Sequence, residues 1–375
     1  MEEIHVREGE VELILPRTFQ RSPKKMEVFY NPMKRLDRDI SVIFLRALAE
    51  IIPRKIVVLD LLAASGVRGL RFGCEVDGIE RIYLNDGSKR AYEWMVKNWK
   101  RNKQKLRCEV KLLNEEANKL LHSLNEYFDY IDVDPFGSPN PFLEASMLKI
   151  RRRGILAVTA TDTPVLYGVR KKACLKGYFS LTEKTPFMRE VGVRILCKRI
   201  IEVGAQHEFA MYPIFAHAEK HYLRIYFQKE LGAQKALRLL EQCGFLTYCE
   251  NCLQRKVWYG FKYEERCECG AANKVIGPIF LGEILNPMVI SKMLRNTEDL
   301  RIKKLLEIAA EETNVKIPYH YITTEFSSKF KLMEPKVEEL VGRLKEIGEA
   351  SRTIFSPKGF RTNLEIKRIT EQFFP

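Results

Sequence analysis

Apolar and polar positions alternate over residues 4–15 with Glu8-Gly9 at the centre, which predicts a β-hairpin at an edge of the fold. Arg17–Lys25 is basic and turn-rich and is expected to be mobile or to face a substrate. A helical stretch follows over Ile40–Ile51. From Lys55 the pattern repeats. Ile56–Asp60, Arg81–Asn85, Cys108–Leu113, Phe128–Asp134 and Gly154–Thr161 are apolar runs of strand length. Helical periodicity fills the intervals: from Val67, through Trp94 and Trp99, and over Glu115–Leu124. A longer helix, Pro186–Gln206, precedes two strands, Phe209–Ala216 and Tyr222–Gln228, joined closely enough to pair antiparallel. Such alternation predicts an α/β fold with a mainly parallel, doubly wound sheet.

Near Leu231 the pattern changes to amphipathic helices (Asn286–Met293, Leu300–Thr313, Pro335–Ile347), a cysteine cluster and a basic tail. The expected division is therefore 1–230, including the hairpin, and 231–375, a smaller α+β domain. A length of 375 residues fits two cores better than one. No run approaches the ~20 apolar residues that span a bilayer, and the N-terminus lacks a basic-then-apolar signal segment. A cytoplasmic protein with no membrane partner is expected. The net charge of +14 favours a polyanionic partner, nucleic acid first.

The chemistry concentrates at Tyr130–Pro139, Y-I-D-V-D-P-F-G-S-P. Pro135 has no ladder donor and stops the strand, so Asp134 sits at a strand's carboxyl end, where open α/β sheets place ligands. Phe136 offers a flat face beside that carboxylate. An acid next to an aromatic platform suits a flat, amine-bearing substrate such as a nucleobase, although an Asp-Pro turn closing a strand looks the same in isolation. Upstream, Asp60-Leu61-Leu62-Ala63-Ala64-Ser65-Gly66-Val67-Arg68-Gly69 joins a strand to a helix. It is neither the glycine fingerprint of dinucleotide binders nor a Walker loop, so a pyrophosphate lacks a cradle. The single carboxylate of S-adenosylmethionine suits it, with Arg68 or Arg71 following and a helix N-terminus at Gly66. Asp86 ends the next strand, about 20 residues on, where an acid binds ribose hydroxyls. Glu116 and Ala117 follow the third strand, placed to flank an adenine. Each carboxylate alone also fits a helix cap; three successive strand ends together favour a nucleoside cofactor.

Cys249-x-x-Cys252, fourteen intervening residues, then Cys267-x-Cys269 reads as a four-thiolate zinc knuckle, structural rather than catalytic, tight in its second half. The other five cysteines are scattered. Basic groups recur at Lys24-Lys25, Arg151–Arg153, Arg170–Lys172, Lys303-Lys304 and Lys358–Arg361, spread as if to track the backbone of a structured RNA. His207, His217 and His221 show no metal-like pairing.

Asn31-Pro32 with Arg38-Asp39, Asp60–Gly69, Asn114–Asn118, Asp134–Pro139, His221–Arg224 and the cysteine cluster resemble the tRNA (guanine-26-N2) dimethyltransferase family. The likeness runs over most of the chain and is densest from 29 to 230. Two segments depart from the family's pattern: Asp37-Arg38-Asp39, where the family has Asn-Arg-Asp, and Thr159–Asp162, where it carries a cysteine. The resemblance implies a Rossmann-like class I methyltransferase domain followed by a zinc-containing tRNA-binding domain. It also implies that the enzyme twice methylates the exocyclic N2 amine of guanine 26 in tRNA and acts as a monomer. Carried over by position, Arg38, Arg68 or Arg71, Asp86, Glu116 and Ala117 would hold the cofactor, with Asp60 and Gly66 in the same loop. Asp134 would be catalytic, with Pro135 and Phe136 at the base. Two rivals remain on sequence grounds: a methyltransferase acting on an exocyclic amine in ribosomal RNA or DNA, and a zinc-bearing RNA-binding protein without transferase activity.

Overall fold

The computed structural model describes residues 3–17 and 28–373. Of the basic segment Arg17–Lys25, only Arg17 lies among them, and the Lys24-Lys25 pair lies outside. The chain forms two compact units. One comprises residues 1–135, 141–158 and 295–298, the other residues 136–140, 159–294 and 299–375. Compactness thus divides the chain near 158/159, whereas composition changes near 230/231.

The first unit opens with the hairpin β1 (Glu3–Glu8) and β2 (Val11–Pro16), paired from Glu3↔Pro16 to Glu8↔Val11. It is docked rather than a free flap. Asn102 and Asn98 side chains accept from Glu12 N and Ile14 N at 2.9 and 2.7 Å, so β2's outer edge is capped. A 3-10 turn, Pro32–Lys34, is capped by Asn31, whose side chain accepts from Met33 N. It feeds α1 (Arg35–Ala49). Then come β3 (Ile56–Asp60), α2 (Val67–Glu75), β4 (Ile79–Asn85), α3 (Lys89–Asn102), β5 (Glu109–Leu113), α4 (Ala117–Ser123), β6 (Phe128–Val133), α5 (Leu143–Lys149) and β7 (Ile150–Ala160).

β3 and β6 are buried along their whole length, as expected of strands covered on both faces. Pairing is parallel throughout, in the order β5-β4-β3-β6-β7. The order reverses at β3, which pairs with β4 on one side and β6 on the other. That reversal is a topological switch point, and the crevice outside its strand ends is the default ligand site of such sheets. Asp60 and Asp134 stand at the carboxyl ends of the two strands that flank it.

The second unit contains α6 (Thr163–Leu166), α7 (Lys171–Tyr178), α8 (Met188–Ala205) and the antiparallel pair β8 (Phe209–Ala218) and β9 (Leu223–Leu231). After α9 (Ala233–Leu240) comes an antiparallel sheet of β10 (Cys243–Tyr248) between β11 (Arg255–Tyr259) and β12 (Lys274–Phe280). α10 (Pro287–Arg295), α11 (Leu300–Glu312), β13 (Tyr321–Ile322), α12 (Thr323–Phe330), α13 (Val337–Lys345), β14 (Ala350–Thr353), β15 (Ser356–Thr362) and α14 (Ile366–Glu371) follow. β15 lies between β13 and β14. At the centre of this unit Glu190 accepts from Arg194, Arg361 and the His320 ring at 2.6–2.9 Å, all buried. Among the described residues no helix is long and apolar enough to cross a membrane.

Candidate active site

Three loops meet at the carboxyl edge of β3, β4 and β5, stitched by buried Asn85. Its amide donates to the Leu61 and Glu115 carbonyls at 3.1 and 3.0 Å and its oxygen accepts from Glu115 N. Gly66, at φ 77°, opens α2 in the left-handed region that favours glycine, and a Cβ there would lie 3.0 Å from Met95 Cγ. The N-cap residue Gly66 has no side chain to cap α2, and Asp60 takes one first-turn amide, that of Gly69; a helix N-terminus of this kind favours a carboxylate. Asp86 accepts from Ala64 N and Ser88 N at 2.9 and 2.8 Å, and burial pushes its carboxyl up. Glu116 caps α4, accepting from Lys119 N and Asn118 N, and those amides hold its carboxyl below the usual range. Ala117 is the buried first residue of that helix. Three strand ends therefore carry groups of the kind that suit a nucleoside cofactor: a helix N-terminus after β3, an acid after β4 and a loop beside α4.

The three arginines expected to face that cofactor are engaged with acids. Arg38 makes two 2.6 Å bonds to Glu8, which also accepts from Tyr30 and Arg71. Arg71 reaches Glu75, Glu8 and Asp39. Arg68 donates to Ser41 Oγ and Asp37 Oδ2, each at 2.6 Å, and to Asp134 Oδ2 at 2.8 Å, with its Nε 3.5 Å from Asp132. These ties are long-range in sequence, and the spacing of residues carries no trace of them. Tyr30 is buried, its hydroxyl on Glu8.

Asp134 follows the last residue of β6 and its side chain keeps 15% exposure. Each oxygen has a cation: Lys34 Nζ lies 2.5 Å from Oδ1 and Arg68 Nη2 2.8 Å from Oδ2. Asp60, at the end of the neighbouring strand, is buried and accepts from Gly69 N at 3.2 Å. Burial first, then the charges of Asp132 and Asp134, push its carboxyl up to about 8, against the opposing pull of Arg68. Sequence reasoning missed Lys34, Asp37 and Asp132 as parts of this cluster. Lys34 and Asp37 share one segment three residues apart, a spacing that puts them on one face, and that was the only local signal.

Pro135 is buried and Phe136, the next residue, is 68% exposed. Beyond it the loop is held within the second unit. Gly137 N donates to Thr161 Oγ1 at 2.6 Å, Ser138 and Tyr178 share a 2.8 Å hydroxyl pair, and Tyr178 donates on to Asp162 at 2.8 Å. Burial pushes both the Asp162 carboxyl and the Tyr178 hydroxyl up.

The four clustered thiols converge as their spacing predicts. Cys249, Cys252, Cys267 and Cys269 place their sulfurs within 4.8 Å of one another, with Cys249–Cys269 at 3.6 Å and Cys252–Cys267 at 3.5 Å. Four sulfurs about 2.3 Å from a tetrahedral zinc stand roughly 3.8 Å apart, so the set fits that ion. Gly270, at φ 84°, turns the chain directly after the shorter half of the cluster and donates to Cys267 O.

A parallel sheet reversed at β3, with an acid cluster and nucleoside-type groups at its edge, defines a Rossmann-like domain of the class I methyltransferase kind. The pattern of the N2,N2-dimethylguanosine tRNA methyltransferase family matches residues 8–373. The chain belongs to this family. A tRNA (guanine(26)-N(2)/guanine(27)-N(2))-dimethyltransferase from Aquifex aeolicus is 36% identical over 98% of this chain and 95% of its own. A tRNA (guanine(26)-N(2))-dimethyltransferase from Sulfurisphaera tokodaii is 37% identical over 98% and 97%. Trm1 from Pyrococcus horikoshii, solved in complex with S-adenosyl-L-methionine, superposes with a TM-score of 0.86 at 32% identity, over 98% of this chain and 99% of that one.

Proposed function

We propose that this chain transfers methyl groups from S-adenosylmethionine to the exocyclic N2 amine of guanine 26 in tRNA, giving N2-methyl- and N2,N2-dimethylguanosine. Family membership over nearly the whole chain supports the activity. The observation that carries the chemistry is Asp134, mostly buried at the switch point and held by Lys34 and Arg68.

The cofactor supplies an electrophilic methyl on a sulfonium. The start of α2 at Gly66, with Asp60 behind it, Asp86, Glu116 and Ala117 would hold it. Arg38, with Arg68 or Arg71, would also hold it, and all three set the acids around it. A guanine N2 lone pair is delocalised into the ring and must be localised before it attacks. Asp134 accepts a hydrogen bond from the amine, which aims the lone pair and favours the positive charge that builds on nitrogen. Once methylated, that nitrogen is strongly acidic, so even a weak base such as a carboxylate takes its proton. The carbonyls of Asp134 and Pro135 are further acceptors. Phe136 stacks on the base, contributing on the order of 1–3 kcal/mol. A paired guanine must first leave its stem, at a cost of a few kcal/mol. The monomethylated amine keeps one N–H, so the same carboxylate serves the second transfer.

Residues 231–375 are the tRNA-binding part, and the four cysteines bind one structural zinc that orders their ribbon. The protein acts as a cytoplasmic monomer. The test is transfer from labelled cofactor to a tRNA transcript, read by nucleoside mass spectrometry, with Asp134→Asn alongside. Transfer to guanine 26 in the wild type, a loss of at least about 100-fold in Asp134→Asn and cofactor affinity within a few-fold are expected. Asparagine at wild-type turnover would remove Asp134 from the chemistry.

A further inference from the structure

Lys34 has no task in the reaction as described, yet its side chain is only 7% exposed and its ammonium meets the reacting carboxylate. An ammonium is withdrawn from water only where a partner compensates it. The 3-10 turn brings this about. Met33 points outward at 77% exposure, and Lys34, the next residue, turns inward. Asp37, one turn further on and fully buried, approaches the same place through Arg68.

The result is an alternating chain of charges, Lys34–Asp134–Arg68–Asp37, with Asp132 3.5 Å from Arg68 and Asp60 at the end of the adjacent strand. Among the described residues two cations face four carboxyl groups. Arg68 is divided between Asp37 and Asp134 through the same nitrogen, Nη2, which meets Asp134 at Oδ2. Oδ1 is held by Lys34.

We infer that Lys34 is a positioning residue for methyl transfer: it fixes Asp134 Oδ1, keeps that carboxylate ionised among its acidic neighbours, and offsets the claim of Asp37 on Arg68. This rests on Asp134 being the acceptor for the substrate amine. Without the ammonium, Asp134 Oδ1 loses the cation that fixes it and the carboxyl is protonated more readily beside the charge of Asp132. Without the Asp37 charge, Arg68 is released to Asp134. Loss of Lys34 and loss of the Asp37 charge therefore act in opposite directions on the same oxygen pair, a coupling that a double-mutant cycle measures.

The experiment is single-turnover methyl transfer to a tRNA transcript from pH 5 to 9. The proteins are the wild type, Lys34→Met, Lys34→Arg, Asp37→Asn, Lys34→Met/Asp37→Asn and Asp134→Asn. Lys34→Met should lower the rate about 10- to 100-fold at pH 7 and move the acidic limb of the profile up by about one pH unit. Lys34→Arg should return the limb to its wild-type position. Asp37→Asn in the Lys34→Met background should recover several-fold of the lost rate. The double variant should also melt above Lys34→Met in cofactor-free protein, a readout independent of turnover. An unmoved limb in folded Lys34→Met, or a double variant no faster than the single one, would overturn the role of Lys34 while Asp134→Asn stays inactive. An active Asp134→Asn would instead overturn the reading of Asp134 on which it rests.

Discussion

Burial and the neighbouring charges of Asp132 and Asp134 push the Asp60 carboxyl up to about 8, so it is protonated at neutral pH. Gly69 N donates to Oδ2, which leaves Oδ1 to carry the proton. Among the described residues the cluster around Arg68 thus holds one fewer negative charge than its composition implies, which keeps four carboxyl groups tolerable around two cations. The linkage follows from the sign of the shift. A raised carboxyl binds its proton in the folded chain between pH 3.8 and 8 while the unfolded chain releases it. Its contribution therefore falls as pH rises through that window. Asp60→Asn, which cannot ionise, should gain on the wild type by on the order of a few kcal/mol between pH 5 and 8. Urea unfolding at the two pH values checks this; a constant difference between the proteins would show that Asp60 is already ionised at pH 5.

Among the elements, the Glu8 side chain ties the N-terminal hairpin to both α1 and α2, beside the bond from Glu10 N to Glu75 of α2. Glu8, at the end of β1, joins Arg38 and Arg71 with both guanidiniums buried, and its carboxyl is held at about 2 despite burial, by Arg38 first, then Tyr30 and Arg71. Glu8→Ala leaves two buried cations short of a partner and should cost roughly 3–5 kcal/mol of stability, measured by denaturant unfolding. Being depressed, this group contributes fully above its unfolded pKa near 4.5 and loses that contribution as pH falls towards 2. The turn after Phe136 depends on a second tie. Ser138, Tyr178 and Asp162 form a hydrogen-bonded relay from the turn to the second residue after β7. Tyr178→Phe keeps the ring and breaks both bonds. It should lower stability by about 1 kcal/mol and methyl transfer by roughly 10-fold through loosened placement of the loop. An unchanged rate beside a lowered melting temperature would confine Tyr178 to a structural part.

At the scale of the molecule, the proposed function assigns the charge of +14 and the cysteine ribbon to RNA binding rather than to the chemistry. Four converging thiols order a ribbon between β10, β11 and β12 that exposes Tyr259 and Phe261. Purified protein should contain one zinc per chain by elemental analysis. Cys252→Ser should lose that metal and weaken tRNA binding about ten-fold or more, while cofactor affinity, measured by calorimetry, stays within two-fold. Full metal content in Cys252→Ser, or unchanged tRNA affinity in the metal-free protein, would separate the ribbon from substrate binding.

Local pattern determined much of this protein. Ile56–Asp60 and Phe128–Val133 are apolar runs that only a doubly covered strand accommodates, Pro135 had to end the second, and Asp134 had therefore to stand at a strand's carboxyl end. The cysteine spacing fixed which four thiols would meet, because two short-range pairs need only one chain reversal to converge. β10–β12 and β13–β15 were not legible, since runs such as Cys243–Tyr248 are short and do not alternate clearly. Tertiary structure alone decided the electrostatics. Lys34 lies 100 residues from Asp134, and Arg68 lies 66 from it. Only the strand order that sets β6 beside β3 brings Asp60 next to Asp132 and Asp134. Hydrophobic periodicity is a property of neighbours along the chain. The pairing of buried charges is a property of neighbours in space, and it exists only once the sheet has closed.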